Sequence, residues 1–200
     1  MNKFIKLPPS FLGGLLLTCA AGVNADPLGL DISIGAVNVR PYVKSPVVHA
    51  DATNEVVPIA NFTYYLNENF ALNTAAGVTR HEFYNAGGDL GKASMAPFHL
   101  IAQYHFIPKA DFRPYVGLGI HHTIFFNQEG PAFHLLKDFP ADTGAVLQVG
   151  FDYAVNKDYF INLDVKKFYL ETDVAFKGAP KLETITLNPL LIGFAVGKRF

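Results

Sequence analysis

Phe112-Arg113-Pro114-Tyr115-Val116-Gly117-Leu118-Gly119-Ile120-His121-His122-Thr123-Ile124-Phe125-Phe126 is the stretch that decides the fold. Val116, Leu118, Ile120, Ile124 and Phe126 point one way along an extended chain, while Tyr115, Gly117, Gly119, His121 and Thr123 point the other. A period of two puts each set on its own face of a sheet. One face is large and apolar; the other is small or polar. The final segment repeats the pattern, with Leu190, Ile192, Phe194, Val196 and Phe200 set against Leu191, Gly193, Ala195, Gly197 and Arg199.

Outward from this stretch, the same alternation predicts strands over 28–40, 56–65, 70–79, 96–106, 113–126, 143–153, 159–172 and 184–200. Their connections alternate in length. Leu66–Asn69, Ile107–Phe112 and Ala154–Asp158 are short; Pro41–Glu55, Arg80–Met95, Asn127–Asp142 and Asp173–Glu183 are long. Short periplasmic turns and long extracellular loops mark a bacterial outer-membrane barrel. The expected fold is therefore all-β, an eight-stranded antiparallel transmembrane β-barrel. Aromatic residues gather at both strand ends: Tyr64, Phe70, Tyr104, Phe112 and Tyr153 by the short turns, Tyr42, Phe83, Phe98 and Tyr169 by the long ones. Rings of this kind favour the boundary between lipid tails and headgroups. A soluble lipocalin-like barrel would alternate equally well but would turn its apolar face inward. Glycine-rich faces opposite large apolar ones, and a chain that stops on Phe200, favour lipid outside.

Composition agrees. Half of the 200 residues are hydrophobic, 16% are charged and the net charge is −1, a balance without the basic face that nucleic acid would need. No apolar run after the N-terminus reaches the roughly 18 residues of a membrane-spanning helix. Residues 1–25 read as a signal peptide: Lys3 and Lys6, an apolar stretch from Phe11 to Val23, and a small-residue cleavage site at Val23-Asn24-Ala25. Residues 26–200 would then be the barrel. Leu16-Leu17-Thr18-Cys19 is lipobox-like, but Thr18 stands where Gly, Ala or Ser is normally required. Cleavage after Ala25 removes the only cysteine.

From the fourth strand onward the chain resembles the outer membrane protein W (OmpW) family. Phe112 to Ile120 with Phe125-Phe126 carries most of the likeness, together with Gln148-Val149-Gly150-Phe151-Asp152-Tyr153, Asn156-Lys157-Asp158 and the close from Leu187-Asn188-Pro189 to Arg199-Phe200. Val39-Arg40-Pro41 and Arg80-His81 extend it into the first half. The resemblance implies a narrow channel for small, largely hydrophobic compounds that enter from the outer loops and leave sideways through the wall. It also implies that the last strand, with Phe194, Val196 and Phe200, is the signal read by the barrel-assembly machinery. Lys198 departs from that signal where an aromatic is usual, and its aliphatic stem is expected to snorkel to the periplasmic interface.

An eight-stranded barrel is barely wider than its own side chains, so a broad aqueous pore is not expected. The expected lumen pathway comprises His99, Ile101, Gln103, Tyr115, Gly117, Gly119, His121, Asp152, Asp164 and Arg199. Within it Ile101 and Tyr115 read as apolar constrictions, and Asp152, Asp164 and Arg199 as a charge network. The glycines either leave room for solute or let strands coil tightly. Pairing of the fourth and fifth strands across their short turn would set His99 opposite His121, about 5 Å apart. Two imidazoles without a third ligand make a weak metal site, and no cofactor is expected. A lipid A-modifying hydrolase would need a nucleophile held by a histidine base. Ser33, Ser45 and Ser94 are the only serines after residue 25, and none stands two residues from a histidine on a strand. The reading is a passive, gated channel for small hydrophobic or amphipathic molecules, not an enzyme, with outer-membrane lipids and the assembly machinery as partners. A receptor barrel acting through its outer loops is the alternative.

Overall fold

The computed structural model describes residues 29–135, 139–175, 177 and 181–200; the expected signal peptide lies outside them. Twelve strands and one short helix follow in order: β1 (Gly29–Arg40), β2 (Asp51–Ala52), β3 (Glu55–Tyr65), β4 (Phe70–Ala76), β5 (Thr79–Asn85), β6 (Gly88–His105), β7 (Phe112–Glu129), α1 (Pro131–Leu135), β8 (Asp142–Ala154), β9 (Tyr159–Phe168), β10 (Glu171–Ala175), β11 (Lys181–Thr186) and β12 (Leu190–Arg199). Every pairing is antiparallel. The ladder runs β6-β4-β3-β1-β12-β9-β8-β7, and β7 returns to β6. With β4 and β5 forming one stave, eight staves close the sheet into a barrel.

Short turns close one end. Asn67 Oδ1 accepts the amides of Asn69 and Phe70 at 2.9 and 2.8 Å, and Asn156 Oδ1 accepts those of Asp158 and Tyr159, both at 2.9 Å. Asparagine does this because its side chain mimics a backbone turn. At the same end β1 and β12 complete the seam, where Leu30 and Phe200 exchange backbone hydrogen bonds of 3.2 and 2.9 Å.

The outer face is apolar as the alternation requires. Leu118 is 62% exposed, Ile120 64% and Phe194 50%, while their neighbours His121 and Ala195 are buried. So many large exposed side chains make a continuous greasy belt far beyond what a soluble monomer shows. Lipid tails cover it.

The long connections differ from expectation. The stretch Arg80–Met95 is a hairpin: β5 and β6 stay paired from Thr79↔Met95 to Asn85↔Gly88, turning at Gly88 with φ +120°. β7 likewise runs on to Glu129. The predicted strand 159–172 ends at Phe168 and resumes as β10, which pairs with β11; the predicted strand 184–200 breaks at Leu187–Pro189. The break coincides with Asn188 at φ +27° and with Pro189, which has no amide to give a ladder. Above the membrane the chain keeps its backbone hydrogen bonds by continuing as hairpins. Their inner sides meet in an outer cluster of Phe83, Met95, Phe139, Leu170, Val174 and Leu187.

Candidate functional site

The inward residues of the staves change character at a roughly common level. From the periplasmic end, β1 presents Asp31 and Ser33, then Val37 and Val39. β3 presents Thr63 and Asn61, then Ile59 and Val57. β8 presents Asp152 and Gln148, then Val146; β9 presents Asn162, Asp164 and Lys166, then Phe168. The lumen has two storeys.

The lower storey is a cross-linked polar plug. Arg199 meets Asp31 in a bidentate ion pair, Nε to Oδ1 at 2.8 Å and Nη2 to Oδ2 at 2.6 Å, across the β1–β12 seam where the two residues are directly paired. The Tyr65 hydroxyl donates to Asp31 at 3.1 Å and accepts from Arg199 at 2.9 Å. Asn162 donates to Tyr115 Oη and to Asp152 Oδ1, both at 2.8 Å. A third chain runs from His105 to Gln103 Oε1 (3.3 Å), from Gln103 to Gln148 Oε1 (2.8 Å) and from Gln148 to Asp164 Oδ2 (2.6 Å), with Lys166 ion-paired to the same carboxylate. Paired and hydrogen-bonded charges of this kind hold one arrangement, because opening any link strands a buried polar group.

The upper storey is apolar. Val37, Val39, Ile101, Val146, Phe168 and Leu191 pack together inside the wall. Above them lies a cavity of about 550 Å³, its open mouth included, bounded among others by Val57, Met95, Pro97, His99 and Leu170. The wall beside this cavity is interrupted. β4 pairs with β6 as far as Asn73↔Ile101, and pairing resumes only at Thr79↔Met95 in the same register. Residues 74–78 and 96–100 face one another across that interval without a ladder. Pro97 removes a donor on one rim. On the other side of the interval, β3 keeps its pairing with β4 only down to Ala60↔Ala76, and Pro58 stands beyond it.

The lumen residues expected from sequence are distributed over both storeys. Gln103, Tyr115, Asp152, Asp164 and Arg199 belong to the plug, although the three charges sit in three separate hydrogen-bonded groups. Tyr115 is bound to Asn162 in polar surroundings, unlike the apolar constriction expected of it. Ile101 is fully buried among apolar neighbours. Gly117 and Gly119 leave no room: a Cβ on Gly117 would lie 2.6 Å from Ile101 Cγ2, and one on Gly119 2.1 Å from the Leu100 carbonyl oxygen. They let Ile101 and its strand approach. His99 does stand opposite His121. Both His121 nitrogens are engaged, with Thr123 Oγ1 at 3.1 Å and the Tyr169 carbonyl at 2.8 Å. Among the described residues no three His, Cys, Asp or Glu side chains gather as metal ligands. Ser45 donates to Glu183 at 2.8 Å, and Ser33 accepts from Asn61 at 3.4 Å.

Sequence reasoning missed Asp31, Tyr65, Lys166 and Phe168. Asp31 and Arg199 carried a signal, since the first and last strands of a closed barrel must pair and opposite charges inside it seek each other. At the last strand, Phe194, Val196 and Phe200 face outward, and Lys198 lies 4.7 Å from the Phe200 ring centroid and 6.0 Å from that of Tyr159. Its ammonium rests on interfacial rings, the stabilising position for a cation at that boundary.

Comparison with known proteins places this architecture. The chain is 34% identical over 161 residues to outer membrane protein W of Escherichia coli, covering 74% of each chain, and resembles the solved structure of that protein with a TM-score of 0.62, 28% identity and coverage of 86% and 97%. It is 30% identical over 160 residues to the dibenzothiophene metabolism operon protein PahQ of Pseudomonas aeruginosa, covering 76% of this chain and 74% of the relative. The fold also matches outer membrane protein OprG of Pseudomonas aeruginosa, with a TM-score of 0.76 at 20% identity over 86% of this chain and 95% of that one. The family model described as OmpW family matches residues 29–200. The chain is an outer-membrane β-barrel and belongs to the OmpW family.

Proposed function

We propose that this barrel admits small hydrophobic or amphipathic molecules from the outer side into the apolar upper storey and releases them sideways through the interrupted wall. The change of inner-face character at one level carries this reading. An apolar solute gains by staying in the upper storey and would have to break a closed polar network to continue toward the periplasm. The unladdered interval between 74–78 and 96–100 adjoins that storey and faces lipid, which welcomes such a solute. A relative named for dibenzothiophene metabolism fits a hydrophobic cargo. Transport of this kind is passive and uses no cofactor. The reading of β12 as the signal for the assembly machinery belongs to the same proposal.

Gly77 is the place to test it. A side chain there meets only ordinary contacts, with Pro58 O at 3.5 Å and Ile59 Cγ1 at 3.8 Å from a built Cβ. Gly77→Phe should therefore fold while filling the interval. Intact Gram-negative cells producing the barrel are expected to accumulate n-octane faster than cells without it, and Gly77→Phe should remove most of that gain. Undiminished accumulation through a correctly folded Gly77→Phe barrel would rule out exit at this point.

A further inference from the structure

The apolar chamber has two polar side chains whose hydrogen-bonding atoms its packing leaves unmet, His99 and Thr79. His99 is 7% exposed and lines the cavity, yet neither Nδ1 nor Nε2 has a hydrogen-bond partner. The other buried histidines, His81, His105 and His121, each bond through at least one nitrogen. The imidazole meets the Phe168 ring edge-on at 5.7 Å between centroids, and its paired neighbour His121 has both nitrogens committed elsewhere. Thr79 Oγ1 lines the same cavity and is also without a partner. Thr79 is paired with Met95, so it stands four residues outward of His99 along β6, or about 13 Å. The cavity they share is also lined by Val57, Met95, Leu170 and other apolar groups.

We infer that the chamber selects, among hydrophobic molecules, those bearing one uncharged hydroxyl or carbonyl group, and that His99 binds this group as the specificity-determining residue. The inference rests on the transport reading of the chamber and names its cargo. A neutral imidazole offers one donor and one acceptor, so it matches a hydroxyl in either direction and a carbonyl in one. A buried pair of unmet hydrogen-bonding atoms discriminates strongly in favour of a ligand that meets them, since a plain hydrocarbon leaves them unmet. The nearby ammonium of Lys166 is already paired with Asp164, and an ionised carboxylate would therefore find no free cation there. Solute would pass Thr79 first and seat its polar end on His99, with its chain on the apolar walls.

Binding to the purified full barrel in lipid nanodiscs tests this, with ¹⁵N spectra of the histidine rings as a site-specific readout. 1-Octanol should bind more tightly than n-octane and shift the His99 ring signals. His99→Phe should weaken 1-octanol about tenfold while leaving n-octane unchanged, and His99→Gln, which keeps a donor and an acceptor, should restore much of the loss. His122→Phe, on the exposed face, should change neither. Equal affinity for octanol and octane, equal effects of His99→Phe on both, or tighter binding of octanoate than of octanol would each overturn the inference while leaving transport intact. No binding of any of these compounds by the wild-type barrel would remove the transport reading as well.

Discussion

Gly117 and Gly119 stand on the same inner face of β7, yet an added methyl group meets different resistance at each. At Gly119 the obstacle is backbone, the Leu100 carbonyl oxygen at 2.1 Å and Ile101 Cα at 2.7 Å; at Gly117 it is the end of the Ile101 side chain at 2.6 Å. A paired strand cannot withdraw, whereas a side chain can turn. Gly119→Ala is expected to cost about 1–3 kcal/mol and Gly117→Ala less, read from urea midpoints of the refolded barrel. Equal losses would show that the tight approach of β6 to β7 does not govern these positions. Leu118 between them faces lipid. An arginine there should cost about 2–4 kcal/mol if it lies at the bilayer midplane, in the same assay. Which way each of these residues points was legible from the sequence, because orientation follows from a period of two. What each one touches was not. Contact depends on the stagger between neighbouring strands, and that is set by closure of the whole barrel.

The hairpin of β5 and β6 raises a different question, because it pairs like a strand but reads like a loop. Residues 80–95 alternate weakly in hydrophobicity, with Glu82, Asp89 and Lys92 among glycines. Outside the membrane neither face needs to meet lipid, so the pattern fades while the backbone still requires partners. For this reason the membrane part of the eight staves was readable and their outer extensions were not. The break at Gly77–Val78 was hidden for a related reason: an interval without ladder bonds keeps the alternation of a strand. His81 anchors this extension, with Nδ1 2.7 Å from the Thr53 carbonyl oxygen and Nε2 buried without a partner. Burial holds its pKa below the ordinary value near 6.5, against the smaller upward pull of Thr53 and Glu55. A group whose folded pKa is lowered binds its proton more readily when the segment opens. The extension is therefore at full stability above pH 6.5 and loses it as pH falls below that value. Amide exchange in β2 and β5, corrected for intrinsic rates, should accelerate between pH 7 and pH 5, and His81→Gln should flatten the response. A pH response that survives the substitution would assign it to another group.

At the scale of the whole molecule, the two storeys would give water-soluble ions and apolar solutes different routes under the proposed function. Ions moving along the barrel axis must cross the layer of Gln103, Gln148, Asp164 and Lys166, whose side chains are buried and mutually bonded. On the proposed route, apolar solutes leave through the interval beside Pro97 and would not reach that layer. The wild-type barrel should thus conduct ions poorly in planar bilayers. Removing Asp164 and Lys166 together, as the double alanine variant, avoids leaving one charge buried alone. That variant is expected to raise ion conductance several-fold without changing the cellular accumulation of n-octane. A rise in both would mean that solute and ions share the axial path, and the polar layer would then be the gate rather than the floor beneath it.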